Sequence, residues 1–415
     1  LMDECAATFG DVFTLRLPAS PPIVMFSHPD AIKTIFTGDE EELRAGEANF
    51  RLQPLLGRQS LLLLDGGEHL RERRLLQPPF HGDRMLAYGA VMRDIAARAV
   101  ERWPIGRPFA LHGEMQGVTL DVILSAVFGL DEGPAKRDLR GALIDLLNLG
   151  SNPQLLLAVQ QASGKGGSAA RFFAARDRVD GLLFAEIAAR RRADVSGRPD
   201  VLSLLVGATY EDGRPLADEA LRDELVTMLV AGHETTATAL AWAVSHVLGS
   251  PGVLDRVLDE LGAGALDPQR VIRLEYLDAV CRETLRLTPI IPLVGRRLTR
   301  PMRIGGADLP AGVVAAPCIY LAHRRPDRWA EPERFRPERF LESKPTPYEF
   351  LPFGGGVRRC LGMAFALVEM KIVLAEMLSR VELRAAPGYQ VRVVRRSVTL
   401  APSEGMPVVA ERRAA

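Results

Sequence analysis

Cysteine is scarce in this sequence. Four occur in 415 residues, Cys5, Cys281, Cys318 and Cys360, and no two have the C-x-x-C spacing of a structural zinc site. Such sparse usage suits a reducing compartment, and the cytoplasm is the expected location. Long apolar runs are missing as well. The most apolar short block, Leu61–Leu64, is only four residues long, whereas a bilayer span needs roughly 20. No membrane span is therefore expected, and no signal peptide is visible. The chain opens on Leu1 rather than Met, so an upstream segment or anchor is left open. An excess of one charge is missing too: 52 basic and 52 acidic residues cancel, which argues against a nucleic-acid partner. There is no internal repeat and no low-complexity block.

What is present is an ordinary globular composition, 47% hydrophobic. Length alone predicts two or three domains, because single cores stop growing at about 250–300 residues. The chain begins with strand-like runs at Val12–Leu17 and Ile23–Phe26, separated by a proline-rich turn. From about Glu68 to Leu266 the spacing of apolar residues is helical. Within that stretch, Asp218–Leu248 predicts one helix far longer than the mean of roughly 11–12 residues, stopped at Ser250-Pro251. The glycine-rich run at 161–168 reads as a solvent loop or a lid. After Thr288 short strand-like runs such as Val313–Ile319 alternate with turns, and Arg324–Pro347 is irregular. A last strong helix is expected from Leu361 to about Val381, followed by hairpins at Val391–Val394 and Val398–Leu400.

The most informative stretch is Phe353-Gly354-Gly355-Gly356-Val357-Arg358-Arg359-Cys360-Leu361-Gly362. Cys360 stands at the start of the last helix, where negative charge is favoured and a thiol's pKa is lowered. Glycines before it let the backbone turn tightly and approach a flat ligand. Backbone N–H groups of such a loop can point at the sulfur, and Arg358 can reach a carboxylate on the same ligand. A phosphate loop would need Gly-Lys-Ser/Thr, and a dinucleotide fingerprint would need glycine where Arg359 stands. Read alone, the cysteine could be an inert buried thiol.

Three further patterns stand apart from it. Glu283 and Arg286 are three residues apart and share a helix face; by themselves they read as a surface ion pair worth little. Ala231-Gly232-His233-Glu234-Thr235 interrupts the long helix with a glycine that costs about 1 kcal/mol relative to alanine. Thr235 can bond its own i−4 carbonyl and bend the helix, and an acid beside a hydroxyl there is a plausible proton relay. The pattern reads equally as a tolerated glycine beside a solvated acid. His69 and Arg73, four apart in a basic helix, share a face that otherwise reads as solvated.

With these residues in view, the sequence resembles the cytochrome P-450 superfamily. Residues 353–362 match every fixed position of its heme signature, Phe-Gly-x-Gly-x-Arg-x-Cys-x-Gly. The resemblance implies that Cys360 is the axial thiolate, which pushes electron density through iron and favours O–O cleavage. It implies a cofactor site that includes Phe353, Gly354, Arg358 and Gly362. It implies an oxygen motif in which Thr235 holds oxygen and its water, Glu234 relays protons, and Ala231 and Gly232 leave room for dioxygen. Pro337-Glu338-Arg339-Phe340 supplies the third member of a buried structural triad of Glu283, Arg286 and Arg339. His69, Arg73 and Arg296 are the implied propionate contacts, with Arg297 competing for the last place.

The resemblance covers nearly the whole chain, although its start is shorter than in most members. It implies one unit over residues 1–415, mainly helical with small β-sheets, a triangular prism with heme b between the long helix and the Cys360 loop. The implied reaction inserts one atom of O2 into a hydrophobic small molecule, by hydroxylation or epoxidation. Electrons come from NAD(P)H through separate partners, with a ferredoxin and its reductase expected on the Cys360 side. Arg71, Arg74 and Arg359 are candidate docking charges, and a monomer is expected. Substrate contacts are expected from Phe50, Leu55, Met228, Ile290, Ile291, Leu293 and Thr399, a mostly apolar set that reads equally as core. Two rivals are a peroxide-using enzyme of the same fold and a heme sensor; the intact Glu234-Thr235 pair speaks against both.

Overall fold

The computed structural model describes residues 1–18, 20–82, 84–150, 155, 159, 167–396 and 398–413. The glycine-rich run at 161–168 lies outside the described residues except for its last two positions, which begin the helix Gly167–Arg192.

The fold is organised around the helix Asp218–Gly249, 32 residues long. At about 1.5 Å per residue it extends for roughly 48 Å. Its sequence explains its position. Alanines and other small residues recur on every side, so no single apolar stripe forms, and twenty of its residues are buried around its full circumference. The helix Leu111–Val122 packs along it, as does the helix Met363–Arg380 that follows Cys360. The helix Arg84–Glu101 covers the other side of Met363–Arg380.

The predicted elements are close to the observed ones. The long helix runs one residue further than expected, and the last helix starts at Met363, two residues later, and ends at Arg380. At the N-terminus a helix, Met2–Phe9, precedes the first strand. The run expected to be a strand over Val313–Ile319 is a strand only at Val314–Pro317, because Ile319 opens the short helix Ile319–Ala322.

The sheets are small. β1 (Val12–Leu15) pairs antiparallel with β2 (Ile23–Phe26). β3 (Leu43–Arg44) and β4 (Pro108–Ala110) are short, and β5 is Arg296–Leu298. β6 (Met302–Ile304) and β7 (Ala307–Leu309) form a separate hairpin, and β8 is Val314–Pro317. The five-stranded sheet has the order β1-β2-β8-β5-β3, with β2 and β8 parallel. β9 (Val381–Ala385) and β12 (Pro407–Arg412) join β4 in a three-stranded sheet. β10 (Val393–Arg396) and β11 (Thr399–Pro402) form the expected late hairpin. That hairpin is fastened to the long helix by a hydrogen bond from Trp242 Nε1 to the Leu400 carbonyl at 2.8 Å.

Among the described residues no single helix is long and apolar enough to cross a membrane. Only a pair bent by 111°, Asp218–Gly249 with Val253–Leu261, passes on length and composition together.

Candidate functional site

The turn that carries Cys360 is held by backbone contacts. Gly356 has φ +64°, and a Cβ there would lie 2.0 Å from the Phe36 carbonyl oxygen, so only glycine fits. The Cys360 N–H donates to the Phe353 carbonyl at 2.9 Å, and the Arg359 N–H to Gly356 at 3.1 Å. The Gly362 N–H hydrogen bonds the sulfur, as the loop pattern predicts. Cys360 is exposed, yet protein surrounds it closely enough that burial pushes its thiol pKa up. The sulfur therefore faces an internal space rather than the outer surface. The expected lowering by the helix N-terminus is outweighed by this desolvation; the Gly362 N–H and the charges of Arg73 and Arg359 act in the lowering direction.

The long helix opens onto internal space at its middle. Residues 221–227 and 236–244 are buried, whereas Ala231 is exposed and Gly232 and Thr235 are half-buried. Met228, Ala231 and Thr235, spaced three and four apart, share one face. The Thr235 hydroxyl donates to the Ala231 carbonyl at 2.5 Å, the i−4 bond anticipated for it. Glu234 points elsewhere. Its Oε2 accepts from Gln116 Nε2 at 2.7 Å, and its Oε1 lies 3.5 Å from both Thr238 Oγ1 and Arg396 Nε and 3.6 Å from His112 Nε2. Burial raises the Glu234 pKa, while Gln116 and Arg396 lower it.

A cluster of positive groups lies on the Cys360 side. Arg358 donates to Glu40 at 3.0 Å, to Asp65 at 2.7 Å and to the carbonyls of Leu61 and Leu64. Its guanidinium is largely committed to protein partners. His69 Nδ1 lies 3.2 Å from Glu40, and burial with the nearby Arg358 charge pushes His69 down to about 3. Arg296 is different: it is buried, it stacks over Phe36, and among the described residues it donates only to the Gly295 carbonyl, 2.9 Å away. Burial pushes its pKa down to about 10. Strand alternation in β5 turns Arg297 outward, where it pairs with Glu47 at 3.6 Å, while Arg296 points inward. Arg73 is half-buried and feels the charges of both Cys360 and Glu40. Among the described residues neither Arg73 nor Arg296 has a carboxylate partner of its own.

Behind the turn, Glu283, Arg286 and Arg339 meet in the interior. Arg286 donates Nε and Nη2 to the two Glu283 oxygens at 2.7 and 3.0 Å, and Arg339 Nε donates to Glu283 at 3.0 Å. Glu283 and Arg286 have no exposed surface, so this is far from the solvated pair that their spacing alone suggests. The helix that carries them starts correctly because the Glu260 carboxylate caps the N–H groups of Tyr276 and Leu277 at 2.8 and 2.9 Å.

The expected substrate residues divide. Met228 and Ile291 are half-buried, whereas Leu55 and Ile290 belong to the main core. Leu293 packs with Met25 and Cys318 in a small cluster beside β2 and β8. Thr399 is buried and its hydroxyl donates to the Arg396 carbonyl at 2.9 Å; Phe50 is 47% exposed. Arg71, Arg74 and Arg359 are exposed, with Arg74 paired to Glu211 and Arg71 over the Tyr210 ring. The sequence reading passed over Glu40, which sits in the acidic run Asp39–Glu42 and looks solvated. It also passed over His112 and Gln116, whose only signal is an i, i+4 polar pair on a helix that also carries Glu114, Thr119 and Asp121.

The comparisons with known proteins agree with one another. The cytochrome P450 family pattern matches residues 1–407. Cytochrome P450 135B1 of Mycobacterium tuberculosis is 42% identical over 407 residues, covering 97% of this chain and 85% of that protein. Cytochrome P450 135A1 of the same organism is 38% identical, covering 96% of this chain and 87% of that one. Two solved structures share the fold. The retinoic acid-bound cyanobacterial CYP120A1 superposes with a TM-score of 0.87 at 24% identity, covering 99% of this chain and 94% of its own. The heme domain of cytochrome P450DA superposes with a TM-score of 0.85 at 25% identity, covering 99% and 92%. The chain therefore belongs to the cytochrome P450 family, the heme-thiolate monooxygenases, which use heme b, dioxygen and electrons drawn from NAD(P)H through redox partners.

Proposed function

We propose that this monooxygenase inserts one oxygen atom into a hydrophobic small molecule, by hydroxylation or epoxidation, with Cys360 as the iron's thiolate ligand. The observation that carries this reading is a sulfur enclosed by protein yet open to an internal space, on a turn that only glycine can make at position 356. The residues fit heme b in charge as well. Two inward arginines lack carboxylate partners among the described residues, and a buried unpaired cation is costly. Arg73 and Arg296 would bind the two propionates, with His69 and Arg358 beside them. Phe353, Gly354 and Gly362 would line the same side. When bound, heme b supplies a thiolate-ligated iron at which dioxygen is activated with two electrons delivered from outside the chain.

The chain's own residues have separable tasks. Ala231 and Gly232 leave room on the open face of the long helix. Thr235 holds a proton on its hydroxyl, which must swing off the Ala231 carbonyl to serve an oxygen in that space. Glu234, turned toward Gln116, Arg396 and His112, would take protons on that side and must turn toward Thr235 to pass them on. Glu283, Arg286 and Arg339 bear the fold rather than the chemistry. Met228 and Ile291 would contact the substrate; Phe50, Leu55, Ile290, Leu293 and Thr399 remain weaker candidates. Arg71, Arg74 and Arg359 would meet an acidic ferredoxin, itself served by a reductase. Residues 1–415 would fold as one unit, a cytoplasmic monomer.

The deciding experiment is the spectrum of the reduced carbon-monoxide complex. A thiolate-type band in the wild type, abolished in Cys360→Ala, is expected; a histidine-type band in the wild type overturns the reading. Product formation with an electron-donor pair, absent with peroxide alone, is the companion result for the reaction. Turnover with peroxide only would leave the peroxide-using alternative standing.

A further inference from the structure

One buried histidine joins the triad to the Cys360 turn. His323 follows the short helix Ile319–Ala322, has no exposed surface and stacks on Phe350 with ring centres 5.5 Å apart. Its backbone carbonyl accepts from Arg286 Nη1 at 2.7 Å. Its ring makes two hydrogen bonds. Nδ1 lies 3.1 Å from the Arg286 carbonyl, and Nε2 lies 2.9 Å from the Leu351 amide nitrogen. A carbonyl can only accept and an amide N–H can only donate. The ring must therefore be neutral, with its proton on Nδ1. Burial and the Arg286 charge push its pKa down to about 3, in keeping with that state.

Beyond the ring the path continues. The Leu351 carbonyl accepts from Gly354 N–H at 3.0 Å, and the adjacent Phe353 carbonyl accepts from Cys360 N–H at 2.9 Å. A chain of hydrogen bonds thus leads from Glu283 through Arg286 and His323 to Leu351, and from there into the turn. Groups that hold a ligand's backbone from outside set its position and its electronic character. A site of this kind also needs its geometry kept within about 0.5 Å.

We propose that His323 is a positioning residue for the Cys360 sulfur, acting through its bond to the Leu351 amide rather than through its contact with the triad. The proposal rests on Cys360 being the thiolate ligand. Three substitutions separate the two ring bonds. In His323→Gln the amide oxygen reaches the Nε2 place and can still accept from Leu351. In His323→Asn the amide nitrogen reaches the Nδ1 place and can still donate to Arg286. His323→Leu retains neither.

The purified holoenzymes are compared by three measurements: the share of thiolate-type band in the reduced carbon-monoxide complex, the iron midpoint potential, and hydrogen exchange at the Leu351 amide. The Gln variant is expected to keep most of the thiolate-type band and a potential near wild type. The Asn variant is expected to lose at least half of the band and to shift in potential, with Leu351 exchange about tenfold faster, the effect of one lost hydrogen bond. An Asn variant with the wild-type band and potential overturns the proposal. So do losses in all three variants that merely follow their melting temperatures, since that is ordinary core damage. Should the variants fail to fold, the wild type alone decides: rapid exchange at its Leu351 amide overturns the tie. A wild type without a thiolate-type band sinks the Cys360 assignment and this proposal with it, whereas a normal wild type with an unaffected Asn variant sinks only His323.

Discussion

The two regions proposed to enclose the cofactor as walls, the Cys360 turn and the middle of the long helix, are built differently. On the Cys360 side, backbone and charged side chains hold one another through many short contacts. Gly356 abuts the Phe36 carbonyl, Arg358 is locked onto two carboxylates and two carbonyls, and the Glu283–Arg286–Arg339 triad is satisfied from several sides. On the long-helix side one short bond, from Gln116 to Glu234 at 2.7 Å, is joined by looser contacts. Glu234 shares one oxygen among Thr238, Arg396 and His112 at 3.5–3.6 Å, and the hairpin that brings Arg396 is exposed at Val393 and Val398. One wall keeps a single geometry; the other can adapt to a ligand. A metal ligand needs the first, and the proposed substrate side can make use of the second.

The largest expected effect breaks the first wall at its tip. Cys360→Ala should abolish the thiolate-type carbon-monoxide band completely. The matching substitution across the space, Ala231→Val, should leave that band intact while weakening the spectral shift that substrates cause. Equal damage to the band from both would erase the distinction between the walls. Next in size is Arg286→Leu. It leaves Glu283 buried beside Arg339 alone, and removing one partner of a buried pair costs about 3–5 kcal/mol. Denaturant unfolding should show that loss along with poor heme retention. Arg339→Leu should cost less, because Arg286 still supplies two bonds to Glu283.

Thr235→Ala tests the second wall. The helix should persist, since alanine is the better helix former, but the rate of product formation should fall about a hundredfold, the low end of losing a positioned proton donor, and product per electron pair should fall with it. Coupling that stays at the wild-type value would remove Thr235 from its role.

The walls also differed in how far they could be read from sequence. The Cys360 wall was legible because its parts are local: ten consecutive residues carry the turn, and three-residue spacing carries Glu283 and Arg286. What stayed hidden there was reach. Glu40 and His323 touch the site from remote segments, and each looks ordinary in its own neighbourhood. The long-helix wall was legible only at Ala231–Thr235. Of seven expected substrate residues, Leu55 and Ile290 lie in the main core and Leu293 in a cluster beside β2 and β8; apolarity alone cannot assign any of them to a substrate. The N-terminal helix Met2–Phe9 was missed because no sequence signal separates it from the strands that follow.

Acid should act on both walls together. Burial holds His69, His246 and His323 at about 3 and His112 and His233 at about 4, each below the ordinary value of 6.5. These groups stay neutral in the folded chain but take up protons when it unfolds. The stability they confer is complete above pH 6.5 and is lost as the pH falls toward 4 and then 3. For His112 alone the shift corresponds to about 3 kcal/mol. Melting temperature should fall steeply below pH 6.5, with net proton uptake on unfolding. A flat profile between pH 7 and 5 would contradict the burial of these rings.

The smallest expected effect concerns two neighbours on β5. Arg296 points inward and lacks a carboxylate partner among the described residues, whereas Arg297 points outward to Glu47 at 3.6 Å. If Arg296 awaits a propionate, Arg296→Leu removes a charge-assisted bond worth about 1.5–3 kcal/mol, and heme should leave the holoenzyme about tenfold faster or more. Arg297→Leu removes a surface pair worth about 0–1 kcal/mol and should leave that rate unchanged. Without heme the order reverses. Leucine relieves an unpaired buried cation at 296, so the heme-free Arg296→Leu protein should melt no lower than its parent. Heme lost faster from a scaffold of undiminished stability is a signature that general damage does not produce. Equal dissociation rates for the two variants would mean that the inward arginine serves the sheet and not the cofactor.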